Sequence, residues 1–178
     1  MKLLNPIGQF VEVDGKNMNV YIEGSGNKTI VFLSGGGTAS PVLDFKSLYS
    51  LLSDSYKIVV VEKFGYGFSD DYPDRNRDID TILDDTRTAL SKTGLKTPYI
   101  LCPHSISGLE AIYWSQKYPE EVEAIIGLDM AVPQYYSDMR ISTAVLKLNK
   151  MLCKAGIIRL FSDNYIKSLY SRSSLTKE

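Results

Sequence analysis

Ser105 is the residue whose setting most suggests chemistry. It lies where the short apolar run Tyr99–Cys102 gives way to the amphipathic segment Ile106–Lys117, with compact residues on either side. A strand that turns sharply into a helix pushes the corner side chain outward and leaves N–H groups of the helix start beside it. A hydroxyl held there can attack an acyl carbon, given amide hydrogens for the developing oxyanion and a base for the proton. Pro103-His104-Ser105-Ile106-Ser107 has the layout G-x-S-x-G with both glycines replaced, and Gly108 follows. Pro103 and Ser107 have less backbone freedom than glycine, but proline at a strand's last position breaks no ladder.

His104 is the only histidine in the chain. Neighbouring side chains at a strand end point to opposite sides, so His104 is expected to face away from the Ser105 hydroxyl and pack beside the corner. A second run of small residues, Ser34-Gly35-Gly36-Gly37-Thr38, follows the apolar stretch Thr29–Leu33. Glycine there allows the backbone to approach a bound group closely.

The elements that must position these residues alternate along the chain. Gln9–Val13 and Met18–Glu23 flank Asp14-Gly15 and read as a hairpin. Thr29–Leu33 and Tyr56–Val61 read as buried strands, with a helix over Val42–Leu52 between them and a long loop over Glu62–Arg77. Ile79, Ile82, Leu83, Thr86 and Leu90 recur at helical spacing, which predicts a helix over Asp78–Lys92 ended by Gly94. The strand Tyr99–Cys102, the helix Ile106–Lys117 and the strand Val122–Leu128 follow. Such alternation implies an α/β fold, a mostly parallel sheet with helices on both faces. Beyond Asp129 the strands stop: Ile141, Ala144, Val145, Leu148, Met151 and Leu152 form a helical stripe, and Ile166, Leu169 and Tyr170 begin another.

Composition narrows the classes. A chain of 178 residues, 44% hydrophobic and 23% charged, suits one soluble domain with a sizeable core. A net charge of −1 argues against nucleic-acid binding, which needs a strong positive field. Cys102 falls in a predicted buried strand and Cys153 on a later helix, so no disulfide framework is expected and a reduced, cytoplasmic setting follows. The apolar run after Met1 is too short for a signal peptide, and no stretch approaches the roughly 20 apolar residues of a membrane span. From Arg140 to Glu178 eight basic residues face two acidic ones. That basic tail fits a solvated helix face or a membrane-surface contact. No His/Cys/Asp spacing suggests a metal site.

Three segments together resemble the N-terminal part of the α/β-hydrolase fold, over about Gln9 to Pro133. They are Val31-Phe-Leu-Ser-Gly-Gly-Gly37, the glycine-serine loop Val60-Val-Glu-Lys-Phe-Gly-Tyr-Gly-Phe-Ser-Asp70, and the elbow with its sequel Lys117-Tyr-Pro-Glu-Glu-Val122 into Ile125-Ile-Gly-Leu-Asp129. The resemblance implies a serine hydrolase of esterase, lipase or proline iminopeptidase type, acting on a small ester, amide or related acyl substrate without a cofactor. Ser105 would be the nucleophile. The N–H of Ile106 and an N–H of the glycine loop, Gly36 or Gly37, would hold the oxyanion, with Pro103, His104, Ser107 and Gly108 shaping the elbow. In the order Ser, acid, His the histidine comes last, after a strand this sequence does not contain. Asp129 stands where one variant of the fold keeps its acid; more families place it one strand later.

The sequence therefore reads as an incomplete hydrolase, with a core over residues 1–133 and the start of a helical cap over 134–178. An open sheet edge after the sixth strand would invite self-association or a complementing C-terminal fragment. Two other readings remain. One is a non-catalytic binding module on the same scaffold. The other is a dinucleotide-binding oxidoreductase, with Gly35-Gly36-Gly37-Thr38-Ala39-Ser40 as the phosphate loop and Glu62 on a ribose hydroxyl.

Overall fold

The computed structural model describes residues 6–137 and 142–155. Gln9–Val13 (β1) and Lys16–Glu23 (β2) form the expected hairpin. Asp14 and Gly15 both take positive φ, 50° and 74°, as a two-residue turn that matches strand twist requires. Thr29–Leu33 (β3), Lys57–Glu62 (β4), Tyr99–Pro103 (β5) and Val122–Ile125 (β6) complete a six-stranded sheet. Its order is β1-β2-β4-β3-β5-β6; β3 to β6 run parallel, and the hairpin is antiparallel.

The strand sequences explain which face carries which helices. All five residues of β3 are buried, as are all five of β5, because both strands are covered on two sides. Side chains alternate, so Val31, Leu33, Val59, Val61 and Leu101 face one layer, and Ile30, Phe32, Ile58, Val60 and Cys102 the other. The first layer is covered by Ile79–Lys92 (α3) and Ser107–Lys117 (α4), through Leu83, Leu90, Ala111 and Trp114. Trp114 is only 1% exposed and meets the Tyr99 ring edge-on. Asp78 caps α3 by accepting the Thr81 N–H.

The second layer departs from expectation. Residues 42–52 do not form one helix but two short turns, Pro41–Asp44 (α1) and Lys46–Tyr49 (α2). Between them Phe45 takes φ −95° and ψ −2°, at the margin of helical space, with its ring packed 5.1 Å from Phe32. Tertiary packing of Val42, Phe45 and Tyr49 on one face wins over helix continuity. The strand expected over Val122–Leu128 also stops early, at Ile125. Gly127 has no side chain, and Met130 packs into the space a Cβ would need; the chain rejoins the sheet at a single Leu128–His104 bridge.

The chain separates into two units between Val132 and Pro133. The second includes Pro133–Ser137 (α5) and Thr143–Lys154 (α6), on which Leu148 and Met151 are exposed. The stripe expected at Ile166, Leu169 and Tyr170 lies outside the described residues. Among those residues, no helix is long and apolar enough to cross a membrane.

Cys102 lies in the second layer, and burial pushes its thiol up to about 11. A thiol so protonated and enclosed is a poor nucleophile. We expect iodoacetamide at neutral pH to leave Cys102 unmodified in the folded chain and to alkylate it in denaturant, as peptide mass mapping would show.

Candidate active site

Strand order sets where a site can form. From β3 the chain moves to β4 on one side, then crosses to β5 on the other, so its direction of winding reverses between β3 and β5. The loops leaving the carboxyl ends of two such strands diverge and leave a crevice. Leu33 pairs with Pro103 at those ends, which sets Ser34 and the glycine run beside His104 and Ser105.

Ser105 has φ +53°, in the left-handed region that non-glycine residues rarely occupy. The surroundings hold it there. Its N–H donates to the Leu128 carbonyl (3.4 Å), and its carbonyl accepts from Gly108 N–H (3.0 Å) and Ala131 N–H (2.8 Å). Ser107 is buried and does what glycine could not: its hydroxyl donates toward the Leu33 carbonyl (2.7 Å) and the His104 carbonyl (2.8 Å), and accepts from His104 N–H (3.0 Å). Gly108 has no room for a side chain, since a Cβ would meet the Ala131 carbonyl.

The glycine loop touches the elbow. A Cβ on Gly35 would lie 3.0 Å from Ser105 Cβ and 3.1 Å from His104 Nδ1, so only glycine fits without displacing one of them. A Cβ on Gly36 would stand 3.6 Å from Ile106 Cγ2. Among the described residues no protein acceptor takes the N–H of Ile106 or of Gly36, whereas Gly37 N–H already donates to Tyr66 Oη (3.3 Å). Of the two loop amides considered, Gly36 is thus the free one. Ile106 opens α4, where partial positive charge collects, and its side chain is 43% exposed.

His104 is exposed, and its ring stands edge-on to Phe45 with centroids 6.3 Å apart. Burial raises the neighbouring Asp44 carboxyl, and His104 partly opposes that. Asp129 is exposed with φ +46°, on the turn whose ends, Leu128 C=O and Ala131 N–H, both bond to the Ser105 backbone. The structure thus brings Ser105, Ile106, Gly35, Gly36 and the Asp129 turn to one end of the sheet. Glu62, assigned a ribose contact by the dinucleotide reading, is fully buried. Its Oε2 accepts from Asn19 Nδ2 (3.0 Å) and Phe68 N–H (2.7 Å). No ligand can reach it, which removes that reading.

Two charged residues near the elbow gave no sequence signal. Lys63, directly after β4, and Glu110, in the first turn of α4, form an ion pair with 2.5 Å between Nζ and Oε1. A groove of about 530 Å³ lined by Arg87, Ser91, Leu95, Tyr99, Trp114 and Glu121 sits at the amino end of β5, opposite the end that carries Ser105. Its lining offers no nucleophile activated by a base.

Replacing Ser107 by alanine should lower unfolding free energy by about 1 kcal/mol, the usual net value of such a hydrogen bond. His104 N–H still serves the Leu33 carbonyl (3.0 Å), so the fold survives. Urea titration of the variant checks this.

A family profile described as alpha/beta hydrolase fold matches residues 28–144. The chain is 56% identical over 140 residues to uncharacterized protein YbdG of Bacillus subtilis (strain 168), covering 79% of this chain and 43% of that protein. It is 28% identical over 123 residues to the 2-(acetamidomethylene)succinate hydrolase of Mesorhizobium japonicum, covering 69% and 42%. Among solved structures, wild-type Cfl2 from Burkholderia cenocepacia superposes with a TM-score of 0.66 at 25% identity, over 76% of this chain and 46% of that one. The chain therefore spans less than half the length of each of these relatives.

Proposed function

The chain belongs to the alpha/beta hydrolase fold family, and from that premise we propose that it carries the nucleophile and oxyanion half of a serine hydrolase for an ester, amide or related acyl substrate. One observation supports this above others. Ser105 is held at φ +53° against a glycine loop, with the Ile106 and Gly36 amides free of protein acceptors among the described residues. In the proposed step Ser105 Oγ attacks the acyl carbon, the carbonyl π electrons move onto oxygen, and those two N–H groups donate hydrogen bonds to the resulting oxyanion. The serine proton must go to a base. Asp129, on the turn tied to the Ser105 backbone, is the proposed carboxylate that would orient it.

That base is the missing part. His104 is the only histidine, and its ring packs on Phe45. We propose that a complementing segment bearing the histidine docks on β6, which among the described residues is paired on one side only, with β5. Ile126, just beyond β6, is 51% exposed there. Without a base, a triad enzyme keeps a residual ~10³–10⁴-fold acceleration through its oxyanion hole and substrate binding.

The test is p-nitrophenyl acetate hydrolysis by the 178-residue chain. Slow release that disappears in Ser105→Ala and persists in His104→Ala supports the reading. Release that Ser105→Ala leaves unchanged contradicts it and favours a binding module instead. Loss in His104→Ala would make His104 the base and overturn the need for a complementing segment.

A further inference from the structure

An oxyanion hole built from Gly36 and Ile106 takes its two amides from different segments. One follows β3 and the other opens α4, so their mutual aim depends on whatever joins the root of the glycine loop to the elbow helix. Two sets of contacts do this. Ser107 Oγ and His104 N–H both bond to the Leu33 carbonyl, the last of β3. One residue on, Lys63 Nζ donates to the Ser34 carbonyl (3.1 Å) and to Glu110 Oε1 (2.5 Å). Ser34 precedes Gly35 directly, and Glu110 is four residues beyond Ile106 on the elbow side. Lys63 thus spans the gap between the two halves.

The span is enclosed. The Lys63 and Glu110 side chains are 7% and 12% exposed, and the Ser34 hydroxyl beside them is buried without a partner among the described residues. Burial raises the Glu110 carboxyl, while Lys63 and the nearby Arg77 draw it back. Arg77 itself donates to the Phe64 carbonyl (3.1 Å). Such a pair adds little to stability, because desolvation of both charges offsets their attraction, and well-packed apolar residues of similar volume do as well. What apolar residues cannot supply is a directed bond of fixed length onto the Ser34 carbonyl.

We propose that Lys63 and Glu110 are positioning residues that hold the Gly36 amide in register with the Ile106 amide. The inference rests on the serine-hydrolase reading. Neither side chain touches the reacting atoms; both act through the glycine loop.

The experiment measures phosphonylation of Ser105 by a fluorophosphonate in the 178-residue chain with free imidazole supplied as the base, separating the inactivation rate constant from the reversible binding constant, alongside melting temperature. The double variant Lys63→Met/Glu110→Leu removes both charges and should fold, melting within about 5 °C of the parent. Its inactivation rate constant should fall roughly 10- to 100-fold, as small misplacements of catalytic groups do, with binding little changed. Arg87→Met breaks the Arg87–Glu121 pair at the other end of the sheet and should lower the melting temperature without slowing phosphonylation. Glu110→Gln, which keeps the shape and loses the charge, should give an intermediate slowing and decides the matter if the double variant does not fold.

Phosphonylation of the folded double variant, or of Glu110→Gln, at the parent rate overturns the inference. So does an equal slowing in Arg87→Met, which would trace the effect to general destabilisation. A parent chain that takes no adduct at Ser105 sinks the hydrolase reading itself, and the inference with it.

Discussion

Free imidazole at about 0.1 M is expected to raise Ser105-dependent p-nitrophenyl acetate hydrolysis by this chain roughly tenfold. A positioned general base contributes typically ~10²–10⁴-fold, but a diffusible one lacks the effective concentration that positioning gives, so only part of that returns. Imidazole also cleaves aryl esters unaided, which makes Ser105→Ala the necessary reference. The acceleration should appear in the parent chain and vanish in that variant. Equal imidazole dependence in the two proteins would show that the missing base is not what limits Ser105. The rescue follows from two facts: the serine is held at the corner beside amides with no protein acceptor among the described residues, and the single histidine packs edge-on against Phe45.

The second large effect concerns the loop after β4. Gly67→Ala is expected to destabilise the fold by about 3 kcal/mol, combining left-handed backbone strain with displacement of a buried carboxylate. Gly67 has φ +52°, and a Cβ there would run into the Glu62 carboxyl group. Glu62 cannot simply swing away, because its Oε2 holds both Asn19 Nδ2 and the Phe68 N–H in a fully buried setting. The same loop is laced to the one after β3 through Gly67 N–H on the Ala39 carbonyl (3.1 Å). A melting temperature lower by roughly 6–12 °C would match that magnitude for a chain of this size. A loss below about 1 kcal/mol would mean that Glu62 is less confined than its partners imply.

What could be read from the sequence was what is encoded locally. The run Tyr99–Cys102 followed by Ile106–Lys117 announces a strand, a corner and a helix, and β5 and α4 fall there within one residue of the expected bounds. The Asp14-Gly15 turn and the Asp78 cap are equally local, since turn and cap chemistry depends on residues three or four apart at most. What stayed hidden is set across the fold. At Phe45 the helix breaks into two short turns while the ring packs on Phe32, and nothing in the 42–52 periodicity signals that. The Lys63–Glu110 pair joins positions 47 apart. By sequence Glu62 reads as a strand-end carboxylate open to a ligand, yet the loop over residues 65–69 folds back over it through Phe68 N–H. At Gly37 the hidden detail is again a distant partner, Tyr66, whose hydroxyl accepts the Gly37 N–H and leaves Gly36 as the open loop amide.

Intact mass and peptide mapping after exposure to a fluorophosphonate test the central claim most directly. With free imidazole supplied as the base, a single adduct is expected on Ser105, formed faster than on any other serine of the chain and absent in Ser105→Ala. An unmodified Ser105, or adducts spread over several serines with Ser105→Ala indistinguishable from the parent, would contradict it.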